Sequence, residues 1–104
     1  MFNTIGFATS PRDVTAAADT DVTLECVPLA DPKPIIRWER ISGALPPGRH
    51  YIQNGNLVIQ RVQLSDSDNY RCRLSNTAGS TSAEALLTVL GTNHILTDDL
   101  TSLS

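Results

Sequence analysis

Apolar and polar residues alternate along most of this chain. Val22, Leu24 and Cys26 are interleaved with Thr23, Glu25 and Val27. Ile36 and Trp38 alternate with Arg37 and Glu39, and Leu57 and Ile59 with Asn56, Val58 and Gln60. Tyr70, Cys72 and Leu74 alternate with Arg71, Arg73 and Ser75, and Ala85, Leu87 and Val89 with Glu84, Leu86 and Thr88. A period of two sends one set of side chains to a core and the other to solvent, so each run predicts a half-buried β-strand. No segment has a helical period, although Asp66–Asp68 could form one short 3₁₀ turn. Turn-forming residues punctuate the strands: Asp31-Pro32-Lys33-Pro34, Pro46-Pro47-Gly48, Asn54-Gly55 and Asn76-Thr77-Ala78-Gly79. Asn-Gly between two apolar runs predicts a tight hairpin, and Gly79 is expected at positive φ. Short strands at this spacing predict an all-β sandwich.

Two cysteines and one tryptophan fall on the inward positions. Cys26 and Cys72 are 46 residues apart, Trp38 lies 12 residues after the first, and Tyr70 two before the second. Around them stand Pro32-x-Pro34, Leu45-Pro46, Arg49, Asn54-Gly55-x-Leu57-x-Ile59, Asp66-x-x-x-Tyr70-x-Cys72, Asn76-x-x-Gly79 and Ala85-x-Leu87-x-Val89. This pattern resembles the I-set immunoglobulin domains over about residues 10–90. The resemblance implies an immunoglobulin-like Greek-key sandwich of two antiparallel sheets, joined by a Cys26–Cys72 disulfide with the Trp38 indole packed on it. The alternative for the cysteines is a pair of reduced core residues in a reducing compartment. Leu24, Ile36, Leu57, Ile59 and Leu87 would complete the core. Tyr70 would be the tyrosine corner, its hydroxyl bonded to backbone near Leu64–Asp66. Arg49 and Asp66 would form a structural ion pair, worth about 0–1 kcal/mol if exposed. Three positions depart from the pattern. Asp68 stands where the family places a small residue, Leu74 where alanine is common, and Ala30 where glycine often opens the proline turn.

The domain is expected to span residues 10–90, with 1–9 a leader or linker to which Ile5-Gly6-Phe7 could add an edge strand. Residues 91–104 are expected to be a flexible tail or linker. At 104 residues one domain is the natural count, and hydrophobic residues at 40% supply one modest core. The net charge of −3 owes much to Asp98 and Asp99; before Gly91, nine acids face eight bases. That balance excludes a general nucleic-acid binder. No apolar run could span a bilayer. The first residues lack the basic region and apolar core of a signal peptide, so a targeting signal would lie elsewhere. No asparagine begins an Asn-x-Ser/Thr acceptor.

Catalytic chemistry finds no support. His50 and His94 are tied to no nucleophile, no His/Cys/Asp spacing suits zinc or iron, and Asp66 with Asp68 lacks the other ligands of a calcium loop. No catalytic residue, metal site or cofactor is therefore expected. Alternation puts Arg37, Glu39, Arg71, Arg73 and Leu86 on one outward sheet surface, a candidate binding face for an acidic protein or a sulfated, heparan-sulfate-like glycan. The plainer reading of that face is mixed surface charge. The resemblance implies a protein-binding or adhesion module beside neighbouring immunoglobulin or fibronectin-type domains. Such modules occur in cell-surface adhesion and axon-guidance receptors similar to the DCC/neogenin group. A perlecan-like matrix proteoglycan or an intracellular, titin-like muscle protein is the alternative. Inward cysteines favour an extracellular location.

Overall fold

The computed structural model describes residues 3–91. Among these residues nine strands form: β1 (Phe7–Thr9), β2 (Val14–Ala17), β3 (Val22–Leu24), β4 (Val27–Pro28), β5 (Ile35–Arg40), β6 (His50–Gln53), β7 (Asn56–Ile59), β8 (Asp68–Asn76) and β9 (Gly79–Leu90). One sheet has the order β2-β9-β8-β5 and the facing sheet β3-β7-β6, while β1 pairs with β4. The family fold places two sheets face to face, and so it is here. One pairing departs from the antiparallel expectation: β2 runs parallel to β9, Val14 to Ala17 lying beside Leu87 to Leu90.

The buried side chains are the inward set of the alternation. Val22, Leu24, Leu57, Ile59, Tyr70, Leu74, Leu87 and Val89 close around the Cys26–Cys72 disulfide, whose Cα atoms are 6.5 Å apart. Trp38 lies directly opposite Cys72 in the β5–β8 ladder, which sets its indole beside the sulfurs. The indole Nε1 donates to the Gly55 carbonyl at 2.8 Å, so the one polar atom of the ring is satisfied. Ile36 is only half-buried, because β5 is the last strand of its sheet. Val58 departs from the alternation in the other sense. It was expected outward yet is 7% exposed. It sits on the central strand β7 with Thr23 opposite on one side and Tyr51 on the other, and these two neighbours flank it.

Residues 4–9 fall in the stretch expected as a leader or linker with an edge strand at Ile5-Gly6-Phe7, and they are part of the sheet framework. Thr4 and Asp31 exchange backbone hydrogen bonds at 2.8 and 3.1 Å, and Phe7 pairs with Pro28. The Asn76 side-chain amide donates to both Thr4 O and Pro32 O, while its Oδ1 accepts from Ala78 N–H. One hairpin asparagine thus fastens three segments. The tail expected at 91–104 lies, past Gly91, outside the described residues.

The β6–β7 hairpin turns on Asn54 and Gly55, at φ 54° and 86°, the left-handed pair that a two-residue loop requires. A Cβ on Gly55 would meet Ile36 Cδ1 at 3.1 Å and Cys26 O at 3.2 Å. Gly55→Ala combines that crowding with left-handed backbone strain of about 1–2 kcal/mol. A loss of at least that size is expected in urea unfolding. The short 3₁₀ turn falls at Leu64–Asp66, slightly earlier than the expected Asp66–Asp68.

Candidate binding surface

Two polar fastenings hold the end of the sandwich that carries the 3₁₀ turn. In the first, Arg49 lies just before β6 and reaches the turn. Its Nη1 and Nη2 donate to Asp66 Oδ2 and Oδ1, both at 2.9 Å. Nη1 also donates to the Gln60 and Arg61 carbonyls, and Asp66 Oδ2 accepts the Gln63 amide at 2.8 Å. Asp66 is only 2% exposed. The pair is therefore not the exposed one the sequence suggested, and the surface value of about 0–1 kcal/mol does not apply. Burial alone would raise the Asp66 carboxyl. The Arg49 hydrogen bonds, the Gln63 amide and the Arg49 and Arg40 charges outweigh it and hold the group below its ordinary value. Tyr70 Oη donates to Asp66 O at 2.6 Å, which makes it the corner tyrosine. Burial pushes its hydroxyl up to about 12, so it stays a donor.

The second fastening was not foreseen. Arg40 Nε donates to Asp68 Oδ2 at 2.8 Å, and Arg40 Nη2 donates to Ser65 O. Ser42 Oγ donates to the same Asp68 oxygen. The guanidinium lies over the Tyr70 ring, 5.9 Å from its centroid. Asp68, the acid in place of a small residue, therefore has its reason in Arg40. The departure at Asp68 was the available signal.

The arginine face forms as alternation predicts, but it is not an open cationic patch. Arg71 sits between Glu39 and Glu84 in the ladder. Its Nη1 lies 3.3 Å from Glu39 Oε1 and its Nη2 lies 2.9 Å from Glu84 Oε2. Arg73 Nε donates to Glu39 Oε2 at 3.4 Å. The Arg73 hydrogen bond, with the Arg73 and Arg71 charges, holds the Glu39 carboxyl low against desolvation, and the Glu84 hydrogen bond raises the Arg71 guanidinium. Arg37 lies opposite Arg73 and has no carboxylate partner among the described residues. Leu86 is 42% exposed beside Asn69, and Ile41 approaches Asn69 from the other side.

A second surface feature escaped the sequence reading. The free edges of β5 and β6 leave a trough of about 400 Å³ between the sheets, lined by Ile36, Trp38, Leu45, His50 and Ile52 together with the charged Arg37 and Glu39. Ile52 is 49% exposed and Ile35, at the start of β5, 63%. Among the described residues, no group of His, Cys, Asp or Glu is placed to hold a metal ion.

The family description Immunoglobulin I-set domain matches residues 5–89. The chain is 40% identical over 77 residues to the mouse basement membrane-specific heparan sulfate proteoglycan core protein, covering 73% of this chain and 2% of that one. It is 37% identical over 91 residues to Protein sax-3 of Caenorhabditis elegans, covering 86% and 7%. Among solved structures it is similar to Sidekick-1 immunoglobulin domains 1-5, with a TM-score of 0.79 and 32% identity over 86% of this chain and 20% of that one. The chain thus spans a small fraction of the curated relatives it matches.

Proposed function

The chain belongs to the immunoglobulin I-set family, and from that premise we propose that it is a protein-binding module of a multidomain adhesion or guidance receptor at the cell surface. The I-set fold is a structural and binding module and not an enzyme fold. One observation carries the reading: the core is committed to a disulfide-stapled frame, while the unspent chemistry lies on outward strand positions and open edges. That arrangement suits contact with another protein surface rather than enclosure of a small substrate. The intramolecular disulfide and the kinship with a basement-membrane protein support an extracellular setting. Neighbouring immunoglobulin or fibronectin-type domains would be its covalent partners. A matrix proteoglycan is the second setting, favoured by the same relative.

The test is antibody labelling of intact cells that make the full-length protein, with the epitope in this domain. Labelling without permeabilisation is expected. Labelling only after permeabilisation would overturn the reading in favour of an intracellular, sarcomere-type module.

A sulfated glycan is the weaker partner. Glu39 and Glu84 already engage Arg71 and Arg73, so a polyanion would have to displace them. The Arg71→Ala/Arg73→Ala variant is expected to leave a heparin column at the same salt as the wild type. Clearly earlier elution would restore the glycan reading.

A further inference from the structure

The free edge of β5 carries a directional set of unspent groups. Ile41 N–H donates to Asn69 O of β8. Peptide groups alternate along an antiparallel ladder, so residues 35, 37 and 39 also turn theirs toward β8. Ile36 and Trp38 then point N–H and C=O away from the sheet. β5 is terminal in its sheet, so no ladder takes up these groups. The edge ends at Arg40, which is bridged by Gly43. Below Ile36 and Trp38 opens the trough, where Leu45 and Ile52 supply apolar surface and His50 a polar side chain. Above lies Arg37, a cation without a carboxylate partner among the described residues.

A second copy fits this edge poorly. Antiparallel self-pairing through Ile36 and Trp38 would set Arg37 directly against the same arginine of the other copy, a like-charge pair. Sliding two residues one way brings in Pro34, which has no N–H to give. Sliding the other way sets Arg37 against Glu39 of the other copy, but it needs the edge groups of Arg40, which Gly43 already bridges. The edge therefore favours a strand of different sequence.

We propose that the β5 edge takes up an extended strand from another protein. Its backbone pairs with Ile36 and Trp38, a carboxylate lies opposite Arg37, and the residues on either side of that acid drop apolar side chains into the trough. The pattern required is apolar-acidic-apolar in an extended segment. This deepens the reading of the chain as a protein-binding module and rests on it.

The probe is a synthetic peptide, acetyl-Thr-Val-Glu-Val-Thr-amide, whose pattern is the same in both strand directions. It is titrated to millimolar concentration into the full, ¹⁵N-labelled chain. The largest amide shifts are expected at Ile36, Arg37, Trp38 and Ile52, with slowed hydrogen exchange at Ile36 and Trp38. Replacing the peptide's glutamate by lysine should weaken binding by up to about fivefold, the scale of a directly opposed charge pair. Arg37→Glu should reverse that preference, so that the lysine peptide binds better. The residue points outward, and unchanged Leu24 and Leu87 signals would show the variant folded. Three results would overturn the proposal: no shifts at Ile36 and Trp38, shifts confined to the Arg71–Leu86 face, or no reversal with Arg37→Glu. Concentration-dependent shifts of the same amides without peptide would also overturn it, in favour of a second copy. Each leaves the cell-labelling result untouched, so failure here is separable from failure of the broader reading.

Discussion

Replacing Cys26 and Cys72 together by alanine is expected to lower stability by about 2–5 kcal/mol, the usual cost of removing a native disulfide from a small domain. The bridge joins residues 46 apart in sequence. Loop-closure arithmetic for a ring of that size gives about 4 kcal/mol of denatured-state entropy. The core gives a second reason for a large effect. Both cysteines are fully buried, and Trp38 lies against the bridge, so two lost sulfurs also leave unfilled space. Guanidinium unfolding of the variant measures the loss. Dithiothreitol-treated wild type should lose a comparable amount. A domain of this size has a total stability of about 5–15 kcal/mol, so the variant is expected to be partly unfolded at 37 °C if it starts near the lower end.

Asp66→Asn is expected to destabilise the domain by about 3 kcal/mol at pH 7, the scale for breaking a buried ion pair from one side. The carboxylate takes two hydrogen bonds from Arg49 and one from Gln63, and an amide cannot accept them all. Arg49 would keep its charge in a largely enclosed site. The pH dependence follows from the direction of the shift. Asp66 is held below its ordinary value when folded, so it binds a proton less readily there than in the unfolded chain. Its contribution is fully present above the unfolded value near pH 4 and is lost as pH falls through the lower folded value. Asp68 is also held low against burial, by Ser42, Arg40 and the Asn69 amide, and adds to the same acid limb. Urea midpoints measured from pH 7 down to pH 2 should fall for the wild type below about pH 4. The Asp66→Asn midpoint should start lower and fall less steeply.

Much of this frame was legible before any coordinates. Leu24, Trp38, Leu57, Ile59, Tyr70 and Leu87 lie inward because a period of two leaves them little choice once the sheets face each other. Asn54-Gly55 announced its own hairpin, since that pair suits two consecutive positive φ angles. What escaped were contacts that periodicity does not encode. Arg40 and Asp68 are 28 residues apart and meet only because β5 and β8 are ladder neighbours. An edge strand was expected from Ile5-Gly6-Phe7, but its pairing with residues 27–31 is set by two short segments that periodicity does not match to each other. Val58 is covered by neighbours on both adjoining strands, a property of its place in the sheet rather than of its own flanking residues.

The candidate surface was half legible. Alternation placed Arg37, Arg71 and Arg73 on one face, but their count says nothing about neutralisation. The register decides that: Glu39 and Glu84 fall on either side of Arg71, while Arg37 faces another arginine. The trough under Ile36 and Ile52 was illegible for the same reason. It exists because β5 and β6 end their respective sheets on the same side of the sandwich, which depends on strand order.

A disulfide-stapled module working outside the cell is tested most directly by counting its thiols. Protein from its native source would be denatured in iodoacetamide without reductant, and the peptides carrying Cys26 and Cys72 weighed. No alkylation before reduction and one alkyl group on each cysteine afterwards is the predicted result. Two alkylated cysteines before reduction would contradict it.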